Sequence, residues 1–300
     1  DTDIKSIKKA ARKGVEKELV KRVDEIVNKE EITINQENKV IWKNNSIARL
    51  KKGNDYLNPE VEIIADDSLN IDSEKKLTLY LNKWLESHIN ELLGDLIKLK
   101  KYKIENQYLR GLVYQLYENN GVIKRNEVDQ IVKSIPADQR KKLWGMGIKI
   151  GRYHIYLPKM LKPKAVGFRI GLWKIFNNLS DKNKIPQSGL NFLINKNFEK
   201  NFLLLCGFEK FRDFFVRIDI LEKLFIKIID ATKGRKFQIN PEMMNLLGCS
   251  KENFYKLMDY MNYRKEKTID TYMFKGERKK KEKLIKFDKK ENPFNKLLSL

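Results

Sequence analysis

A chain of 300 residues has room for two or three domains with genuine cores, and 41% hydrophobic against 34% charged residues describes a globular protein with a heavily charged surface. The 62 Lys and Arg against 40 Asp and Glu leave a net charge of +22, which points to polyanionic partners. No window offers 18 consecutive apolar residues and the first residues lack an apolar stretch, so neither a membrane span nor a secretory signal is expected, and the chain reads as cytoplasmic with no membrane partner.

Residues 2–29 place Ile4, Ile7, Ala11, Val15, Leu19, Val23 and Ile26 at three- and four-residue steps, the pattern of an amphipathic helix. The period then changes. Val40–Trp42 and Ile47–Leu50 read as short strands around an Asn-rich turn, with Val61–Ile64 as a third, so a small β element (32–64) is expected inside a helical segment spanning 1–100. Ser73–Leu99 returns to helix, with His88 on its apolar face as a packing residue. Within 54–95 there are 10 acids and 3 bases, a poor surface for a polyanion. The acidic pairs Glu30-Glu31 and Asp66-Asp67 lack partner bases in sequence and read as solvated surface.

From Tyr108 to Leu157 the expected order is helix, Asn-Asn-Gly turn, helix, a helix opened by Pro136, and strand-like sequence at Ile148–Leu157. Three short helices before a strand pair is the order of a winged-helix module, with a plain helical subdomain as the alternative, so 101–180 is expected to be a winged-helix-like basic module. A helix follows at Ala165–Asn177, then a polar linker. Residues 181–264 read as a C-terminal helical module in which Pro241–Leu247, a Gly248-containing turn and Lys251–Met261, capped by Ser250, look like a helix-turn-helix or an ordinary helical hairpin. Residues 265–300 are expected to be a basic tail; from Arg264 on there are 13 basic and 6 acidic residues. The fold expectation is therefore mainly α with a small β element, a helical accessory region carrying winged-helix-like and helix-turn-helix-like modules.

Candidate chemistry is confined to one stretch. From Gln139 to Ser180 there is no Asp or Glu, yet ten bases occur, interleaved with aromatic residues. Cations suit phosphates and flat rings suit bases, so the candidate nucleic-acid site comprises Arg140, Lys141, Lys142, Lys149, Arg152, Tyr153, His154, Tyr156, Lys159, Lys162, Lys164 and Arg169, with Trp144 and Trp173 assigned to the core. The two histidines, His88 and His154, are far apart and belong to no metal-binding pattern, and Cys206 and Cys249 lie in apolar surroundings as inert thiols, so no metal is expected. No GxxxxGK[ST], GxGxxG or GxSxG occurs, so no catalytic residue and no cofactor is assigned to this chain.

Taken in order, RKGVEKELVKRVDEI (12–26), the segment 41–69 that opens IWKNNSIARL, RGLVYQL (110–116), GIKIGRYHIYLPKMLKP (147–163), VRIDILEKL (216–224), NLLGCSKENFYKLM (245–258) and MNYR (261–264) resemble the carboxy-terminal half of an alphaproteobacterial superfamily 2 DExH-box helicase, a family related to the mitochondrial degradosome RNA helicase. The resemblance covers about residues 8–264 and returns briefly at Asn292-Pro293-Phe294. It implies a nucleic-acid-binding accessory region, with RNA, single-stranded, as the partner. That family's two motor domains, which bind ATP and Mg, precede this region and have no counterpart here; Asp24-Glu25 lies in helical sequence and is no DExH box. The chain, opening at Asp1, reads as a fragment or split-gene product that meets its motor domains in cis or as a separate chain. The rival reading is a scaffold that docks a helicase onto a ribonuclease or ribosome.

Overall fold

The computed structural model describes residues 2–28, 31–64, 69–179, 184–194, 200–233, 236–266 and 271–274. Helix α1 (Thr2–Asn28) leads into strands β1 (Ile32–Ile34), β2 (Lys39–Trp42), β3 (Asn45–Asp55) and β4 (Asn58–Ile63), an antiparallel meander in sequence order. Its tightest corner turns on Lys43 and Asn44, both with positive φ, the left-handed pair that a two-residue hairpin needs and that asparagine tolerates. Helix α2 (Ile71–Lys101) starts where the Asn70 side chain accepts a hydrogen bond from the Ser73 N–H at 2.8 Å. Asp72 and Glu74 sit in its first turn and Lys98, Lys100 and Lys101 in its last, each sign matched to the helix dipole. One stripe, Leu77, Leu81, Leu85, Ile89, Leu93, Leu96 and Leu99, is buried and forms the spine of the largest core.

The remainder repeats one plan three times. Helix α3 (Gln107–Glu118), strand β5 (Val122–Lys124), helices α4 (Arg125–Ser134) and α5 (Ala137–Gly145), and strands β6 (Lys149–Ile150) and β7 (His154–Tyr156) form the first unit, with sheet order β5-β7-β6. A 3-10 turn (Pro158–Leu161) precedes the second unit, which runs through helix α6 (Pro163–Phe176), strand β8 (Phe192–Ile194), helix α7 (Lys200–Leu205) and strands β9 (Phe208–Phe211) and β10 (Phe214–Arg217), with order β8-β10-β9. The third contains helix α8 (Ile218–Ala231), strands β11 (Thr232–Lys233) and β12 (Lys236–Gln238), helices α9 (Pro241–Leu247) and α10 (Lys251–Tyr260), and strands β13 (Tyr263–Lys265) and β14 (Thr271–Phe274), with order β11-β12-β14-β13. In each unit the last strand inserts between the two before it. Helix α9 ends on Gly248 at φ 67°, and the Ser250 side chain accepts from the Asn253 N–H at 3.3 Å to start α10, as the spacing predicts.

Two expectations are corrected. The fold is not mainly α with one β insert and winged-helix-like and helix-turn-helix-like modules: the described residues form an α+β mix, about 55% helix and 23% strand among them, whose strands make four small antiparallel sheets. Strands of two to four residues leave no alternation for a period-2 reading to find, which is why the strands Phe192–Ile194, Phe208–Phe211, Thr232–Lys233 and Lys236–Gln238 are missing from the helical module expected over 181–264. The charged run after Arg264 is not all tail: β14 lies within it, pairs with both β12 and β13, and buries Tyr272. Residues 267–270 and 275–300 of that run, Glu30 and the pair Asp66-Asp67 lie outside the described residues. Among the described residues no helix is long and apolar enough to cross a membrane.

Candidate nucleic-acid interface

The acid-free stretch runs through α5, the β6–β7 hairpin, the 3-10 turn and α6, and folding sorts its twelve candidate residues into three groups. His154, Tyr156 and Arg169 are interior. Arg169 is 2% exposed, and its guanidinium donates to the backbone carbonyls of Asn120, Met160 (3.3 Å) and Leu205 (2.7 Å), tying three segments together; burial pulls its pKa down to about 10. His154 is 1% exposed and its Nε2 lies 2.7 Å from Glu209 Oε2, while Lys124 Nζ donates to Glu209 Oε1 at 2.5 Å. Beside it, Glu222 accepts the backbone N–H groups of Arg152 (2.6 Å), Tyr153 (2.8 Å) and His154 (2.9 Å). Burial alone lowers the His154 pKa, but hydrogen bonding and charge from the two carboxylates outweigh it and raise it above 6.5. Tyr156 is sealed under the sheet, and Tyr153, half-buried, meets Phe211 and Phe225 edge-on. These residues lock the first unit to the other two; they do not face a ligand.

Lys159, Lys162 and Lys164 form a second group beside α2. Lys159 pairs with Asp95 at 3.2 Å, and Lys164 lies close enough to His88 to help depress its pKa, which burial lowers first. His88 itself stacks on Trp84 and meets Phe168 edge-on, a packing residue as expected. The stretch lacks acids in sequence, but α2 brings Asp95 to it in space.

The third group is exposed and unpaired. On α5, Ala137, Arg140, Lys141 and Trp144 recur at three- and four-residue steps and form one outward stripe, while Leu143 alone is fully buried beneath it. Trp144 is 73% exposed, a correction to its assignment to the core. Lys142 flanks the stripe, and Lys149 and Arg152 extend the basic surface along the β6–β7 hairpin, the Arg152 guanidinium 5.7 Å from the Phe225 ring. Among the described residues none of these five bases has a carboxylate partner, and Arg140 spends only its Nε, on the Ile135 carbonyl at 3.0 Å. Trp173, by contrast, is half-buried and Lys174 lies over Phe202.

Among the described residues no group of three or more His, Cys, Asp or Glu is placed to hold a metal ion. Burial pushes the thiols of Cys206 and Cys249 up to about 12 and about 11, far from a reactive thiolate. On α10, at the corresponding place in the third unit, the exposed residues include Glu252, Asp259 and a Lys256 paired with Glu252 at 2.5 Å, whereas α5 carries a single acid, Asp138, in its first turn and three bases after it.

No family model matches the chain, no curated protein matches it significantly, and no solved structure matches it significantly. The likeness to the helicase family therefore rests on the ordered sequence segments alone.

Proposed function

We propose that the chain binds single-stranded RNA through the α5 stripe and the β6–β7 hairpin, as an accessory region to an ATP-dependent helicase motor. One observation carries the binding reading: Trp144, a large ring standing in water, is flanked on the same helical stripe by Arg140 and Lys141, and among the described residues no carboxylate pairs with either of them, Asp138 in the first turn of α5 included. An exposed tryptophan between unpaired cations supplies a stacking platform and phosphate contacts together, the two ingredients of sequence-tolerant single-strand binding. The association with a motor is supported by the ordered segments that resemble the helicase family.

The test is affinity for single-stranded RNA across a salt series. The double variant Lys141→Glu with Lys149→Glu is expected to bind about tenfold more weakly and to lose about 1.4 units of salt slope, because each of the two lost phosphate contacts on a single strand contributes about 0.7. The charge-matched pair Lys75→Glu with Lys83→Glu, within the acidic 54–95 stretch, is expected to change neither. Equal losses from both pairs would show that +22 acts as a diffuse field and that α5 is no site.

A further inference from the structure

A second surface, outside the acid-free exposed group, has the composition of a base-binding site. The end of α2, the outer side of α3, the β3–β4 turn and the last turn of α6 enclose a cleft of about 770 Å³, within the range of roughly 300–1,000 Å³ usual for small-ligand sites. Six rings line it: Tyr56, Tyr102, Tyr114, Tyr117, Trp173 and Phe176. Tyr114 is 63% exposed although the opposite face of α3, with Leu109, Leu112, Val113 and Leu116, is fully buried, so this ring is no part of the core.

The charged lining is mixed, Asp55 and Glu118 against Lys100 and Arg110. On the floor Asp55 accepts from Lys100 at 2.8 Å and from the Tyr117 hydroxyl at 3.0 Å, which consumes the acid internally. Arg110, one helical turn before Tyr114, lines the cleft with no carboxylate partner among the described residues, and Lys52 stands 4.8 Å over the Phe176 ring at the edge; Glu118 also lines the wall. An aliphatic ligand would have no use for Arg110 and Lys52. Behind the wall, the Tyr56 hydroxyl and the Asn120 side-chain carbonyl are buried without a hydrogen-bond partner.

We propose that this cleft receives unpaired bases of the RNA strand, stacked against Tyr114 and Trp173, with Arg110 and Lys52 on the flanking phosphates. The proposal rests on the RNA-binding reading and adds a second contact point to it. It is tested with the full chain and a single-stranded RNA of about twelve nucleotides, long enough for a multi-base site, carrying 5-iodouridine for photocrosslinking. Adducts at Tyr114 or Trp173 in addition to Trp144 are expected, and Tyr114→Ala, at an exposed position, is expected to weaken binding about tenfold, the loss of one stacked base. Arg110→Ala is expected to reduce the salt slope by about 0.7. Adducts at Trp144 alone with unchanged affinity of Tyr114→Ala would overturn the cleft as a base site and leave the α5 stripe standing. Failure of the unaltered chain to bind the RNA at all would overturn both.

Discussion

At the scale of single residues, the histidine most attractive in the sequence proves to be a structural charge. His154 sits among bases and aromatics in the acid-free stretch, and nothing in that context reveals that Glu209 and Glu222, 55 and 68 residues away, close over it. Its pKa lies above 6.5 in the folded chain, so its contribution to stability is complete below about 6.5 and is lost as pH rises through the raised value. Glu209 behaves in the opposite sense: burial raises its pKa first, but His154 and Lys124 hold it below 4.5, so its contribution is present above 4.5 and is lost on acidification. The melting temperature should therefore be highest between those values. His154→Gln should be less stable by about 3 kcal/mol at pH 6, the cost of breaking a buried pair, and should lack the decline expected of the unaltered chain as pH rises above 6.5. A parallel decline in both proteins during thermal melts at pH 5.5 to 9 would refute the assignment. Local packing constrains the same spot: a Cβ on Gly151 would lie 2.3 to 2.6 Å from the Glu222 carboxyl group, so this turn fits the carboxylate only as glycine.

At the scale of elements, α5 shows what periodicity can and cannot reveal. Its existence and boundaries are legible from Pro136 and the basic run, yet Leu143 and Trp144 read alike as an apolar pair. Successive helical residues point about 100° apart, so a helix lying on a core with one side buries only one of them. The structure buries Leu143 and exposes Trp144. Leu143→Ala should cost about 2–5 kcal/mol through the cavity it leaves, with RNA affinity in the folded fraction largely retained. Trp144→Ala should leave stability within about 0.5 kcal/mol and weaken RNA binding; denaturant unfolding and anisotropy titrations separate the two, and the reverse pattern would put the tryptophan back in the core. Strand β14 carries the second lesson. Composition marks the chain after Arg264 as solvated, because Lys and Glu dominate and four apolar-rich residues are too short a signal. Position in the sheet decides otherwise, since Tyr272 packs near Phe237 and Tyr255 between two paired strands. Removing 267–300 should lower the melting temperature by more than 5 °C relative to removing 276–300, using roughly 4–8 °C per kcal/mol for a unit of this size; equal melting temperatures would show that β14 adds nothing to the third sheet.

At the scale of the whole molecule, the three units are joined by polar contacts that an account of separate domains would not anticipate. Glu209 from the second unit binds Lys124 and His154 of the first, Glu222 from the third caps the backbone of the β6–β7 hairpin, and the Arg169 guanidinium of the second reaches Asn120 of the first. Apolar packing crosses the same boundaries: Val122 and Tyr156 of the first unit share a cluster with Leu161 and with Ile218 at the start of α8. The repeat itself is nearly invisible in sequence, because each copy fixes its plan through a few buried positions in very short strands and not through a shared motif. Since the α5 stripe and the Arg152 turn lie on the first unit while Glu222 lies on the third, the third unit holds the shape of the proposed RNA surface at a distance. Replacing Glu222 by Ala strands three backbone N–H groups at once, each a desolvated donor worth about 1–3 kcal/mol when unpaired. Hydrogen exchange should then accelerate at Arg152, Tyr153 and His154 and also at residues 208–211 of the second unit, whose Glu209 shares the same charge cluster, while α2 stays protected. RNA affinity should fall with it, because the hairpin that carries Lys149 and Arg152 is no longer held. Faster exchange confined to α8 would mean that the units open independently and that Glu222 is a local cap.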